Sequence, residues 1–371
     1  MTKKRKFGKK NVIKVDPLAY NIGLIAPSGF GKTTMAVEVC EKLVGEDGYL
    51  LINCGKEDGI DAIPNAIYED APDWETFEEI ADDIIENKDT DYKDLKVIIY
   101  DTLDELFRIA EPQVIKLNNR ENPDKKVKSI KAAYGGFMAG EDKAIEIILD
   151  KVWALKNVGV QMFILGHTKT RTQTDPMTGT EYDILTNNMS NRYFNAIKTK
   201  LHILGVGSFD RSIEKTTVKK MMNVETKGKI VDERRLITFR DNNYNIDSKS
   251  RFADIIEQIP LDADEFIEAI NNAIKLAHDK QSGAKSIEET KVEQDKELEE
   301  KVTEAVKEAN ENTINEEENE GLVKQILEKL NSSPKDVKQK AIEYAKDNGI
   351  SLKEHTETPT YQYKQLLSQF D

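Results

Sequence analysis

Short apolar runs alternate with segments of helical periodicity along the first two thirds of the chain. Apolar runs of six to eight residues occupy positions 18–25, 49–54, 95–102 and 160–167. Between them, apolar residues recur at helical spacing over residues 33–44, 74–88 and 141–157. The runs predict buried strands, and the spacing predicts amphipathic helices. Strands that alternate with helices predict an α/β fold, with a mostly parallel sheet flanked by helices.

Later segments continue this pattern and then change it. Further strands are predicted at residues 201–206 and 235–240, and the last helices of the core are predicted to begin at residues 247–252 and to end near residue 279. Residues 280–320 are charged and poor in aromatic side chains, which is typical of a solvated helix or a disordered linker. Apolar positions around Leu322, Val337 and Tyr363 then predict a small domain of three helices. We therefore divide the chain into a basic tail (1–14), a core domain (15–279), an acidic linker (280–320) and a helical C-terminal domain (321–371).

A glycine-rich turn joins the first predicted strand to the first predicted helix. The glycines allow backbone N–H groups to curl around phosphates, at a helix N-terminus whose partial positive charge favours anions. A lysine follows to reach the terminal phosphates, and the next threonine offers a hydroxyl to Mg²⁺. The sequence therefore predicts a binding site for a nucleoside triphosphate and Mg²⁺, formed by Ala26, Pro27, Ser28, Gly29, Phe30, Gly31, Lys32, Thr33 and Thr34. Ala26 stands where the usual G-x-x-x-x-G-K-[ST] pattern has its first glycine.

Polar residues at the ends of three other predicted strands add to this candidate site. Asp101 closes the run at 95–102 and is predicted to hold Mg²⁺ through water. Glu57 follows the second strand and is the candidate base that orients water; Asp58 competes for that role, and a solvated turn is the alternative for both. His167 ends the fourth run, where it is either a sensor of the γ-phosphate beside Asp101 or a hydrogen-bonded strand-end histidine.

Residues 168–191 leave the predicted sheet directly after His167, and a turn signal at 175–179 predicts a long hairpin or loop. Lys169 and Arg171 can pair with backbone phosphates, and Tyr182 offers a ring on which a base can stack. We therefore predict that this segment contacts single-stranded DNA. The alternative is a solvated hairpin that packs on a neighbouring subunit, and the basic segment at 120–131 is the next candidate for the DNA contact.

Composition bounds the class of protein. The chain has 371 residues, a formal net charge of −14 and 38% hydrophobic residues, which is typical of a soluble protein with a sizeable core. Fourteen acidic residues and five lysines give residues 285–320 a net charge of −9, so the rest of the chain is only mildly acidic. Two cysteines predict buried thiols rather than a disulfide framework. No secretory signal and no apolar run of about 18 residues is present, so we expect a cytoplasmic protein without a membrane span.

The order of these motifs resembles that of the RecA-like P-loop ATPases, in particular the phage-encoded AAA-type or RecA-type ATPases of single-strand annealing and recombination. The resemblance covers about residues 15 to 260 and depends on the loop at 26–34, on Glu57, Asp101 and His167, and on the Lys-x-Arg pair at 249–251. It implies a catalytic role for Glu57, a sensor role for His167 and a DNA-binding loop after it. Lys249 and Arg251 resemble a pair that hexameric helicases of the RecA class insert into a neighbour's site, which implies catalytic residues acting in trans within a ring or filament.

The leading hypothesis is an oligomeric, Mg²⁺-dependent ATPase that acts on single-stranded DNA in phage recombination or replication. A nucleotide-gated adaptor is the alternative from another class, with a C-terminal domain that recruits an unknown protein partner. A P-loop kinase of small molecules is less favoured, because such chains are usually shorter and carry an arginine-rich lid that this sequence does not show.

Overall fold

The fold is taken from a computed structural model, which describes residues 11–56, 59–220, 223–241, 244–281, 285–312, 316–332, 334–352 and 358–370. The strands are β1 (Ile22–Ala26), β2 (Tyr49–Cys54), β3 (Tyr68–Ala71), β4 (Val97–Asp101), β5 (Gln161–Thr174), β6 (Glu181–Asn187), β7 (Ile203–Lys220), β8 (Asn223–Thr238), β9 (Lys249–Ser250) and β10 (Gln258–Pro260). The helices are α1 (Lys32–Val44), α2 (Trp74–Glu86), α3 (Leu103–Glu121), α4 (Ala139–Asn157), α5 (Asn191–Lys198), α6 (Ala263–Asp279), α7 (Ile287–Asn312), α8 (Glu316–Ser332), α9 (Lys335–Asp347) and α10 (Thr360–Leu367).

The strands form one sheet in the order β10-β8-β7-β1-β5-β4-β2-β3, with β6 paired to β5 and β9 paired to β7. The six strands from β7 to β3 in this order run parallel to one another, whereas β6, β8, β9 and β10 join by antiparallel pairing. The predicted α/β class with a mostly parallel sheet is confirmed. One consequence matters for the site: β5, which contains His167, lies between β1, where the loop at 26–34 begins, and β4, which ends in Asp101.

Alternating residues of the strands face helices on the two sides of the sheet. In β4, Val97 and Ile99 join the cluster that also contains buried residues of α1 and α6, while Tyr100 lies against Phe77 of α2 at a centroid distance of 6.2 Å. Successive side chains of a strand point to opposite faces, so a strand covered on both sides must be apolar throughout. All five residues of β4 are buried accordingly, which explains the unbroken apolar run in the sequence.

Several predicted strands have different bounds in the structure, and the one predicted at 160–167 continues to Thr174 as β5. The first begins at Ile22 rather than at residue 18, because Pro17–Ala19 forms a 3-10 turn in which Asp16 Oδ1 accepts a hydrogen bond of 2.8 Å from the Leu18 backbone N–H. The strands predicted at 201–206 and 235–240 are parts of β7 and β8, which pair as one long antiparallel ribbon. The sequence did not indicate this length because residues 211–234 are largely polar and lack a clear alternation.

The chain divides into two compact units, residues 1–81 with 94–297 and residues 82–93 with 298–371. In the second unit, α8, α9 and α10 share an apolar core formed by Leu322, Val323, Ile326, Ala341, Ile350, Tyr363 and Leu366. Tyr363 is fully buried there, and Asn319 Nδ2 donates a hydrogen bond of 2.9 Å to the backbone oxygen of Thr358. Much of the segment predicted as a solvated helix or disordered linker forms α7.

Candidate nucleotide-binding site

The loop between β1 and α1 has the backbone geometry of a phosphate-binding turn. Gly29 and Gly31 adopt φ values of +73° and +98°. This left-handed region favours glycine, because a residue with a Cβ is sterically strained there. A Cβ at Gly29 would meet no heavy atom within 4 Å, so the space above the loop is open there. Gly31 precedes α1, and no side chain of the described residues caps this helix start. The first N–H groups of α1 therefore suit an anion.

Thr33 and Asp101 meet across this loop. Thr33 Oγ1 donates a hydrogen bond of 2.7 Å to Asp101 Oδ2, although the two residues are 68 positions apart in the sequence. Asp101 is the last residue of β4 and is only 7% exposed. A hydroxyl and a carboxylate at this distance fit Mg²⁺, which prefers oxygen ligands and keeps waters and phosphate oxygens as its other ligands. The residues present thus fit the Mg²⁺-nucleotide that the sequence predicts.

Lys32 extends along the same loop from the first position of α1. It is only 6% exposed, and its Nζ lies 3.4 Å from the backbone oxygens of both Ala26 and Pro27. A buried ammonium needs oxygen partners, and contacts of this length are weak. Phosphate oxygens would be stronger partners for Lys32 at this position, because they carry negative charge.

His167 lies at the same edge of the sheet, as predicted. It pairs in register with Ala26 on the neighbouring strand β1. Its Nδ1 lies 2.9 Å from Asp104 Oδ2, and its backbone N–H donates to Asp104 Oδ1 at 3.3 Å. His167 is therefore hydrogen-bonded, as the predicted alternative has it, but it does not end its strand, because β5 continues to Thr174. Asp104 contacts the Nδ1 side of the imidazole ring, and the sensor role of His167 stays a prediction.

Glu57 and Asp58, the candidates for the residue that orients water, lie outside the described residues. Just before them, Gly55 has a φ of +71°, and a Cβ there would lie 2.6 Å from Oε2 of Glu105. Glu105 belongs to the first turn of α3, is buried, and pairs with Arg108 at 2.9 Å. Gly55 is thus required both by its backbone conformation and by the close approach of this carboxylate.

Lys249 and Arg251 are not brought to the nucleotide site of their own chain. Ser250 of β9 pairs with Ile203, which in turn pairs with Ile22 at the start of β1. The site lies at the other end of β1, about 13 Å away at about 3.3 Å per residue. The nucleotide loop is at the carboxyl edge of the sheet, whereas the Lys-x-Arg pair is at the amino edge.

At the amino edge, both cations contact the C-terminal end of α5. Lys249 Nζ donates to the backbone oxygen of Lys198 at 2.6 Å, and Arg251 Nη2 donates to that of Thr199 at 2.9 Å. Cations near a helix C-terminus stabilise its unpaired carbonyls. Burial, together with the nearby charges of Arg251 and Lys198, lowers the pKa of Lys249 from its ordinary value. A role of this pair in a neighbouring subunit stays a prediction.

The predicted hairpin at 168–191 is formed by β5 and β6, with the predicted turn at its tip. Asp175 accepts a hydrogen bond of 2.6 Å from the Thr178 hydroxyl in that turn. Lys169, Arg171 and Gln173 are alternate residues of β5, and Gln173 pairs with Tyr182 of β6. Alternate residues and directly paired residues point to one face, so Lys169, Arg171 and Tyr182 share a face of the hairpin. Lys169 Nζ also donates to the backbone oxygen of Asn188 at 3.1 Å.

Three charged residues near the site were missed by the sequence reasoning. Asp104 and Glu105 lie in the first turn of α3, shortly after β4 ends at Asp101. Arg235 of β8 donates a hydrogen bond of 3.0 Å from Nη1 to the backbone oxygen of Phe30. The pattern Asp-Thr-Leu-Asp-Glu at 101–105 places acidic residues where a helix would begin, so the sequence does contain a signal for Asp104 and Glu105. No local signal indicates Arg235, because its position depends on pairing between distant strands.

The part of the chain that the structure describes contains no group of three or more His, Cys, Asp or Glu residues placed to hold a metal ion. It also contains no helix that is both long enough and apolar enough to cross a membrane. A Mg²⁺ site of the predicted kind does not need such a group, since water and phosphate supply most ligands.

Comparison with known proteins identifies the family. The model of a family described as an AAA domain matches residues 18–252, more than half of the chain. No curated protein matches the sequence. One similar solved structure is a prototypical ATPase from the type III secretion system of pathogenic bacteria, with 15% identity and a TM-score of 0.31. The match covers 53% of this chain and about half (54%) of that one, and at this TM-score it carries no weight in the assignment. From the family match, the chain belongs to the AAA domain family and carries a P-loop ATPase domain of the kind that binds and hydrolyses nucleotide.

Proposed function

We propose that this chain is a Mg²⁺-dependent ATPase that works as an oligomer on single-stranded DNA, in phage recombination or replication. The observation that carries the ATPase part is the contact of 2.7 Å between Thr33 and Asp101, because it places a hydroxyl and a carboxylate together beside a phosphate-binding loop. Bound Mg²⁺ would draw charge from the terminal phosphates. Lys32 would neutralise the charge that develops on the transferred phosphoryl group.

The DNA part depends on the β5–β6 hairpin. This hairpin continues the strand that passes His167, and the Asn188 backbone N–H donates to the His167 backbone oxygen at 2.9 Å. One hydrogen bond thus connects the end of β6 to His167. A shift of His167 when the γ-phosphate binds or leaves would move Lys169 and Arg171 directly. Their cations suit backbone phosphates, and Tyr182, which is 43% exposed, suits stacking on a base.

The oligomeric part depends on the Lys-x-Arg pair. Within one chain Lys249 and Arg251 lie at the amino edge, so either could reach a nucleotide only in another copy. Arg251 is exposed and its guanidinium suits bidentate contact with phosphate oxygens. A ring or filament that sets the amino edge of one copy against the carboxyl edge of the next would unite the two halves of the site.

A nucleotide-gated adaptor is the second candidate, and one observation favours it. The unit of residues 82–93 and 298–371 has an apolar core of its own, which a domain that recruits a protein partner needs. Such a protein would bind ATP and turn it over slowly, with no response to DNA.

The rate of ATP hydrolysis with and without single-stranded DNA separates these functions. The proposal expects the rate to rise with single strands, to rise less with duplex of the same length, and to be absent in the Lys32→Ala variant. A hydrolysis rate that neither single-stranded nor duplex DNA changes favours the adaptor. A rate that rises only with a small phosphate acceptor favours a kinase and contradicts the proposal.

A further inference from the structure

His167 is held by Asp104 at two points. The carboxylate of Asp104 contacts the ring Nδ1 at 2.9 Å through Oδ2 and the backbone N–H of the same histidine at 3.3 Å through Oδ1. The side chains of Asp104 and His167 are only 17% and 19% exposed. Two contacts to one residue fix both the backbone of β5 at His167 and the orientation of the ring.

The pair lies inside the nucleotide site. Asp104 follows the metal candidate Asp101 by three residues, in the first turn of α3. His167 is the register partner of Ala26, where the phosphate-binding loop begins. A Cβ at Gly166 would lie 3.1 Å from Ile25 and 3.8 Å from Asp104 Oδ1, so β1, β5 and α3 approach closely at this point. The close approach limits how far the ring can be displaced.

Asp104 is suited to act on the imidazole as an anion. Burial alone would raise the pKa of Asp104, but the hydrogen bond and the charge of His167 outweigh it and hold that pKa below its ordinary value. An ionised carboxylate only accepts hydrogen bonds, so the ring nitrogen that faces it must carry the proton. In neutral imidazole the proton is then on Nδ1, and Nε2 is the acceptor nitrogen on the side of the ring away from Asp104.

We propose that Asp104 is a positioning residue for ATP hydrolysis, which orients His167 so that Nε2 is the ring atom presented to the terminal phosphate and the water beside it. The inference rests on the ATPase part of the proposed function and needs no DNA contact. Asp104 itself touches no reacting atom; it sets the tautomer and the direction of the ring. His167 would respond to the presence of the γ-phosphate through one defined atom.

The test compares three variants of the full chain. Asp104→Ala removes the acceptor, and Asp104→Asn keeps an oxygen that can accept from Nδ1–H but lacks the charge. Glu111→Gln is the matched control, because Glu111 lies two turns further along α3 and accepts a hydrogen bond of 2.9 Å from the Tyr193 hydroxyl outside the site. In the alanine variant we expect kcat to fall about 10- to 100-fold with KM for ATP within about twofold, as for other partners that orient functional histidines. The asparagine variant should keep more activity, and the control should keep the parent kcat.

Nitrogen-15 NMR of the imidazoles supplies the second readout and does not depend on activity. The parent should show the Nδ1–H tautomer for His167, and Asp104→Ala should shift that residue toward Nε2–H with the other histidine signals in place. The inference is overturned if His167 keeps the Nδ1–H tautomer in Asp104→Ala. It is also overturned if kcat falls as far in Glu111→Gln as it does in Asp104→Ala. Failure of the parent to hydrolyse ATP at all overturns the proposed function instead, while the NMR result still decides whether Asp104 sets the ring.

Discussion

The two edges of the sheet use charge in opposite ways. At the carboxyl edge, Thr33 contacts Asp101 and His167 contacts Asp104 through their side chains, beside a loop whose backbone suits an anion. At the amino edge, Lys249 and Arg251 point their cations at backbone oxygens of α5, and the ring of His202 accepts a hydrogen bond from the Asn21 backbone N–H at 3.0 Å. The first arrangement is suited to bind a charged ligand within one chain. In the second, the cations already donate hydrogen bonds to the unpaired carbonyls at the C-terminal end of α5.

The difference shows what a Lys-x-Arg pair needs in order to be functional. Cations that cap a helix contribute stability without any ligand, typically about 0.3–1 kcal/mol each when exposed. A role in hydrolysis requires a second copy of the chain to supply the phosphates. Amino-edge residues are therefore functional only if the protein assembles, while carboxyl-edge residues are expected to act in each chain.

The largest expected effect is at the amino edge, if assembly unites the edges. Arg251→Ala should still bind ATP but should hydrolyse it about 10³-fold more slowly, the scale of a lost arginine that acts in trans. Mixing Arg251→Ala with Lys32→Ala should restore part of the activity, because hybrid interfaces contain one intact site. Lys200→Ala, which neutralises an exposed cation of the same edge, is the control and should keep the parent rate. If the protein is strictly monomeric and still hydrolyses ATP at the full rate, Arg251 has no role in trans and contributes only to capping α5.

At the carboxyl edge, Asp101→Asn should lower hydrolysis by about 100-fold or more, because a metal ion contributes several kcal/mol to the charge stabilisation of such reactions. Higher Mg²⁺ concentrations should recover part of the rate. Asp94→Asn removes an exposed carboxylate just before the same strand and serves as the control. Equal Mg²⁺ dependence in the two variants would show that Asp101 has no part in holding the ion.

An effect of intermediate size is expected on the hairpin that extends from the carboxyl edge. The double variant Lys169→Ala/Arg171→Ala should weaken single-strand binding, reduce its salt dependence by up to about two phosphate contacts, and leave basal hydrolysis nearly unaltered. Lys291→Ala/Lys296→Ala on α7 makes the same change in net charge at exposed positions and should bind as the parent does. If a salt titration gives the double variant the slope of the parent, the basic segment at 120–131 becomes the candidate.

The smallest expected effect is a pH dependence of stability at the amino edge. Burial, with the nearby cations Lys156, Arg251, Lys249 and Lys14, lowers the pKa of His202 from 6.5 to about 4. Between these values the unfolded chain binds a proton at this residue and the folded chain does not, so its contribution is full above about pH 6.5 and is lost as the pH falls toward 4.

Replacing His202 tests this pH dependence directly. His202→Gln keeps an acceptor for the Asn21 N–H and removes the titration, so its free energy of unfolding should change less than that of the parent between pH 7 and 4.5. Urea unfolding at several pH values in this range measures both. Parallel curves for parent and variant would show that His202 does not account for the dependence.

Much of the carboxyl edge could be predicted from the sequence, for a physical reason. Strands covered on both faces must be apolar, so β2, β4 and the start of β5 stand out, and the polar residue at each strand end marks the edge. Asp101 and His167 were found in this way, and Lys32 and Thr33 were found from the glycine-rich turn between a strand and a helix. Helix α3 was not predicted at all; Pro112 lies inside it, and proline normally ends a helix.

The amino edge could not be predicted in the same way. Lys249 belongs to a strand of two residues, β9, whose pairing with β7 depends on contacts between positions about 45 residues apart. Local periodicity carries no information on such a pairing, and the sequence of residues 247–252 instead predicted the start of a helix. The same reason explains why Arg235 was missed, since β8 reaches the loop at 26–34 only through the sheet.

The central claim is that the loop at 26–34 with Asp101 forms an ATP site, and Lys32→Ala tests it most directly. Lys32 Nζ lies 3.4 Å from the backbone oxygens of Ala26 and Pro27, and contacts of this length are weak. Its loss should therefore leave the fold intact, while the charge on the phosphates is no longer neutralised. The measurement is Mg²⁺-dependent ATP hydrolysis by parent and variant, with circular dichroism and the unfolding midpoint as checks on the fold. The account predicts hydrolysis by the parent and at least about a 100-fold loss in a folded Lys32→Ala. A folded variant that hydrolyses ATP at a near-normal rate would contradict it.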